Sequence, residues 1–139
     1  MVNLGGIAGR ILWGAVADYF RAPRVLLGLI GVAAGACAGL TVAFGPSWPV
    51  AATLAVSAMF GATAIGWNGV QLSELARNAP AGRVGAITGA SGFISFSGAV
   101  IGPPIFALIS ALTGGYRVGF CVFGGLSVAF GAWLLGTRR

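Results

Sequence analysis

The sequence predicts an all-α, polytopic membrane helix bundle of about five transmembrane helices, and three observations carry that prediction. Of the 139 residues, 58% are hydrophobic and only 7% are charged, whereas a soluble domain carries roughly 25% charged residues. The apolar residues fall into five runs, each approaching the ~20 residues that a helix needs to cross a ~30 Å hydrocarbon core. The 25 glycines are embedded in those runs with no collagen-like period, as in membrane helices whose backbones approach closely. In lipid the backbone must satisfy its own hydrogen bonds, so helices are the natural reading. Barrel strands would need polar residues at every second position, and the runs lack that alternation.

The runs divide residues 1–139 into one transmembrane domain with helices over 2–17, 25–44, 50–72, 84–112 and 118–135. The first is short for a span, is interrupted by Arg10, and ends at the charged stretch from Asp18 to Arg24. The second closes at Gly45-Pro46-Ser47-Trp48-Pro49, which is turn chemistry. A polar connector from Ser73 to Arg83 ends the third. The fourth is long enough to span with tilt, and Gly102-Pro103-Pro104 predicts a hinge within it. Thr113-Gly114-Gly115-Tyr116-Arg117 turns the chain into the fifth run, and Arg138-Arg139 follows that run. Arg10 and the apolar runs that continue toward the C-terminus argue against a cleaved signal peptide.

Charge placement predicts orientation. If the chain alternates sides, Arg21, Arg24, Arg77, Arg83, Arg138 and Arg139 share one face and only Arg117 lies opposite. Positive residues mark the cytoplasmic side, which puts the C-terminus in the cytoplasm and the N-terminus outside. The net charge of +6 does not point to nucleic acid, because the arginines form no basic face. There is no His, and the two carboxylates, Asp18 and Glu74, are far apart in sequence. No metal cluster or catalytic triad is therefore expected, nor a cofactor, nor enzyme activity. Cys37 and Cys121 read as small apolar filler.

Two groups are candidates for touching a solute. Arg10 lies eight residues before Asp18, roughly 12 Å along a helix. A charge at that depth normally faces a cavity, a partner or a substrate, and a guanidinium suits a carboxylate. Trp67, Asn68 and Gln71 fall near one helix face, a polar stripe with one aromatic that suits a pathway lining. Glu74 and Arg77, three residues apart, are placed for a local ion pair. Gly31, Gly35 and Gly39 form a small-residue ridge on the second helix, and Gly85, Gly89, Gly98 and Gly102 form one on the fourth.

Gly14-Ala15-Val16-Ala17-Asp18, followed by Arg21 and Arg24, resembles the cytoplasmic signature loop of the major facilitator superfamily of transporters. Tyr19 stands where a basic residue is usual, Arg21 where a Gly is usual, and Ala22-Pro23 replace further basic residues. Downstream, Gly66-Trp67-Asn68-Gly69 with Glu74 and Pro80 is similar to the family's tenth helix and the loop after it. The glycines from Gly85 to Gly102 with Pro103-Pro104 are similar to the eleventh helix, and Thr113 to Phe120 to the entry into the twelfth. The resemblance spans essentially the whole chain and implies helices eight to twelve, a partial C-terminal half. The spacing of Gly89, Gly98 and Gly102-Pro103 also resembles the fifth helix of drug antiporters, which would make the chain helices two to six. The degenerate loop and the lack of an Arg in the third helix favour the later half.

From this resemblance follow the functional expectations. The chain would carry a small solute across a membrane, a bacterial inner membrane by analogy, by alternating access against a missing N-terminal half or partner subunit. Gly14, Asp18, Arg21 and Arg24 would form a cytoplasmic gate, with Asp18 pairing to an Arg on a neighbouring helix. Facilitators for oxalate and monocarboxylates carry an arginine comparable to Arg10, so the cargo implied is an organic anion. The competing expectation is a non-transporting scaffold or assembly subunit that binds partner helices through its glycine ridges.

Overall fold

The computed structural model describes residues 1–20 and 22–137. Every regular element among them is an α-helix, in the order α1 (Val2–Phe20), α2 (Pro23–Val42), α3 (Val50–Ala64), α4 (Trp67–Asn78), α5 (Val84–Thr113) and α6 (Arg117–Gly136). Four spans are long and apolar enough to cross a membrane: α2, the interrupted pair α3–α4 over Val50–Asn78, α5 and α6. This is the pattern of a multi-pass membrane protein. The expected fifth span, α1, is 19 residues long but does not qualify, because Asn3, Arg10 and Asp18 dilute its apolar character.

Local chemistry sets the ends. Pro23 opens α2, where its fixed φ fits and its missing N–H is not needed. Gly82 takes φ +79° inside a turn closed by the Arg83 amide donating to the Pro80 carbonyl at 3.0 Å. Gly114 ends α5 in the left-handed conformation at φ +70°, and the Gly114 and Gly115 amides both donate to the Ser110 carbonyl. These three boundaries fall within a few residues of the sequence expectation.

The third run departs from it. A single helix over 50–72 was expected; instead the run breaks at Ile65–Gly66 and resumes as α4 through Asn78. Neither residue breaks a helix by itself. Helix α1 packs directly on this turn. A Cβ added at Gly66 would lie 2.8 Å from the Trp13 ring and 3.0 Å from the Gly9 backbone.

Two backbone-to-backbone seams hold the bundle. Along α1 and α3, Gly5 and Gly9 face the Ala58 and Ala62 carbonyls, and Gly61 faces the Val2 carbonyl, each too close for a side chain. The longest seam joins α2 to α6. There Gly28, Gly31 and Gly35 meet Gly131, Ser127 and Gly124, and Ser127 Oγ donates to the Gly31 carbonyl at 2.8 Å. In lipid no hydrophobic drive joins helices, so close approach and dispersion must do it. Ala17, Leu26, Ile30 and Val70 form a small buried cluster against Trp13 and Trp67. The outlier is α5, which among the described residues has none buried and touches α4 and α6 alone.

Candidate functional site

A helix broken inside a bilayer leaves carbonyls that water cannot reach, and each must find another donor. Three side chains supply them at the α3–α4 break. Trp13 Nε1–H donates to the Ala62 carbonyl at 2.9 Å, reaching across from α1. Trp67 Nε1–H donates to Ala64 at 3.0 Å and Asn68 Nδ2 to Ile65 at 3.3 Å. The break is thus held by a donor from a neighbouring helix and two from its own next turn.

Beside this turn lies a half-open cavity of about 520 Å³. Helices α2 through α6 all line it, and Thr63, Ala64 and Trp67 of the broken turn form part of its wall. Its lining is almost entirely apolar. Phe60, Phe106, Phe120 and Phe123 converge there, with ring centroids 5.2 Å apart for Phe106–Phe120, 6.0 Å for Phe106–Phe123 and 6.1 Å for Phe60–Phe120. The polar lining is turned inward on the protein: Thr63 Oγ1 donates to the Met59 and Phe60 carbonyls, and Ser127 Oγ to Gly31. Gln71 Nε2 donates to Ser91 Oγ at 3.1 Å and ties α4 to the loosely packed α5.

Further along α4, Arg77 Nη2 makes an ion pair with Asp18 Oδ1 at 2.6 Å. The pair joins the C-terminal ends of α1 and α4 and is more than half exposed on both sides. Glu74, expected to take Arg77 locally, does not, because the end of α1 brings a second carboxylate within reach. Arg24 Nη2 donates to Thr137 Oγ1 at 2.7 Å, linking the start of α2 to the end of α6, while its buried Nε has no hydrogen-bond partner among the described residues. Both links lie at one end of the bundle, where the chain passes from α1 into α2.

The structure therefore distributes the sequence-derived candidates. Trp67 and Gln71 line the cavity; Asn68 bonds back to the break and does not. Arg10 is exposed on α1 beside Gly69 of α4 and lies outside the cavity lining. Gly14 faces open space, Asp18 and Arg24 make the links just described, and Arg21, like Arg138 and Arg139, lies outside the described residues. Gly102, Pro103 and Pro104 sit within a helix that runs unbroken from Val84 to Thr113. They line no part of the cavity. Among the described residues, no cluster of His, Cys, Asp or Glu is placed to hold a metal ion.

Sequence reasoning missed the phenylalanine wall and Trp13; it expected Asp18 to pair with an Arg on a neighbouring helix but did not name Arg77. Phenylalanine carries no signal in a chain this apolar. The third run as read from the sequence, 50–72, is no longer than one crossing needs, so length gave no sign of the break. No family model, curated protein or solved structure matches the chain.

Proposed function

We propose that this chain carries a small solute across a membrane by alternating access, as one portion of a transporter of the major facilitator type. The observation that carries the proposal is the composition of α4. One twelve-residue helix holds two residues of the cavity wall, Trp67 and Gln71, and one partner of an exposed ion pair, Arg77. It begins at the break that separates it from α3. A helix with a discontinuity at one end and a releasable tether at the other can tilt, and its tilt would reshape the cavity. Discontinuous helices beside a mid-bundle cavity are the arrangement that secondary transporters use.

The tether has a suitable strength. Exposed ion pairs contribute about 0.2–1 kcal/mol, so occupancy of the cavity needs only a modest differential affinity to release it. In this reading Asp18–Arg77 and Arg24–Thr137 are links at the cytoplasmic end of the bundle, consistent with the arginine asymmetry. The C-terminus is then cytoplasmic. The solute path is completed by a partner half or subunit apposed to the exposed apolar faces of α1 and α5. An organic anion, the cargo that Arg10 suggests, would have to be met on the outer side of α1, where such a partner would lie.

A second reading has one observation in its favour. Gly85, Gly89, Gly92, Gly98 and Gly102 on α5 all face open space, which would suit a scaffold that seats a partner helix. The ridge on α2 no longer serves that reading, since Gly31 and Gly35 are occupied by α6 of the same chain.

The test is uptake of a defined mixture of neutral and anionic solutes into vesicles of the native membrane, which retain any partner half, followed by mass spectrometry, for wild type, Asp18→Asn and a deletion of the chain. Transport predicts accumulation of at least one solute above the deletion, at a rate that changes in the variant. Equal accumulation of every solute in wild type and deletion supports the scaffold. Accumulation unaffected by Asp18→Asn rejects the gate.

A further inference from the structure

We infer that the cavity beside the α3–α4 break binds a small, uncharged aromatic solute that carries one hydrogen-bond donor. The assignment deepens the transport reading, and rests on it only in calling the occupant a substrate. Size is the first argument. About 520 Å³ falls within the ~300–1,000 Å³ of small-molecule sites and is several times the ~150 Å³ that accommodates benzene. Two fused rings fit with room to spare.

Charge is the second argument. Among the described residues, no arginine and neither Asp18 nor Glu74 belongs to the lining, so an ion would enter a low-dielectric space with no described charge to compensate it. Hydrogen-bonding polarity narrows the class further. The donors of Thr63, Trp67 and Ser127 are spent on backbone carbonyls. What remains is mostly acceptor: the Thr63 and Ser127 hydroxyl oxygens, and Gln71 Oε1, which makes no hydrogen bond among the described residues. Apart from the second amide N–H of Gln71, the lining has nothing to offer an anion, whereas an O–H or N–H on the solute finds several partners.

The third argument separates a solute from a lipid tail. Moving an acyl chain from the bilayer into an apolar cavity gains no hydrophobic free energy, because both environments are apolar. Selection must come from ring geometry and the hydrogen bond. Phe106 meets Phe120 edge-on at 77° between planes, and Phe60 meets Phe120 at 66°. Rings locked in that way present fixed faces and edges to a planar guest.

The experiment uses the full chain in nanodiscs and two probes with the same ring system, 2-naphthol and 2-naphthoate, at neutral pH. Equilibrium dialysis against empty nanodiscs separates binding from partitioning. The expected result is saturable excess 2-naphthol near one per chain, not displaced by equimolar 2-naphthoate. Gln71→Leu should weaken it about three- to tenfold, the loss of one hydrogen bond, and Phe120→Leu should weaken it as well. Ser47→Ala, in the connector before α3, should leave it unchanged. Uptake equal to that of empty nanodiscs would mean that lipid fills the cavity, and would overturn the inference. Equal competition by 2-naphthoate would overturn it too. Binding by a chain whose deletion leaves solute uptake by native membrane vesicles unchanged would keep the site and reject the transport reading; uptake of other solutes that depends on the chain, without 2-naphthol binding, would do the reverse.

Discussion

Replacing Trp13 with Phe removes one hydrogen bond and little else. The indole Nε1–H donates to the Ala62 carbonyl at 2.9 Å across 49 residues of sequence, at the turn where α3 gives way to α4. Interhelical hydrogen bonds in membrane proteins average about 0.6 kcal/mol and reach about 1.7 kcal/mol. This one belongs in the upper part of that range, because its acceptor sits in a broken turn closed off by Gly9 and Gly66. Phenylalanine retains most of the ring, and the alternative surroundings are lipid, so the area lost adds little. The expected cost is about 1–1.5 kcal/mol, roughly a five- to thirteenfold fall in the folded-to-unfolded ratio. It can be measured by titrating mixed micelles with dodecyl sulfate and following helix loss by circular dichroism. Trp133→Phe, at a site 61% exposed, is the reference. A difference from that reference below about 0.3 kcal/mol, the scatter of independent substitutions, would refute the view that Trp13 secures the break.

Other expectations follow from the same geometry. A double-mutant cycle over Asp18→Asn and Arg77→Gln should give a coupling of about 0.2–1 kcal/mol that shrinks in high salt, as expected for a pair exposed on both sides; a null coupling would remove the tether. Gly35→Leu should destabilise the bundle by at least about 1–3 kcal/mol in the same micelle titration, since an added Cβ already meets Val128 and the Gly124 carbonyl. Gly39→Leu, facing open space, should not. In detergent, Cys121 is exposed and Cys37 buried, so maleimide labelling followed by peptide mapping should modify Cys121 first; equal rates would contradict the placement of α2 against α6.

The class of protein was legible because it is a property of solvent: long apolar runs with few charges admit few other structures. Boundaries set by local chemistry, such as Pro23, Gly82 and Gly114, were legible for the same reason. The break at Ile65–Gly66 was not, since what packs on it, the Trp13 indole and the small-residue surface of α1, is distant in sequence. The candidate site divides along the same line. Trp67 and Gln71 share a helix face by spacing alone, and both line the cavity. The four phenylalanines come from α3, α5 and α6, and no periodicity within a single run shows that they meet. Arg77 illustrates the limit of the i, i+3 rule, which proposed Glu74 while tertiary approach supplied Asp18.

The pairing of α2 with α6 also constrains how the protein is made. Segment 43–116 separates the two halves of the longest seam, so α2 enters the bilayer well before its partner is synthesised. At roughly 5–20 residues per second, the notch of Gly28, Gly31 and Gly35 stays open to lipid for several seconds. Acyl chains fill such a notch poorly, and a nascent chain in that state is a target for the insertion machinery or for intramembrane quality control. The interface that most defines the bundle therefore forms only after α3, α4 and α5 have been made.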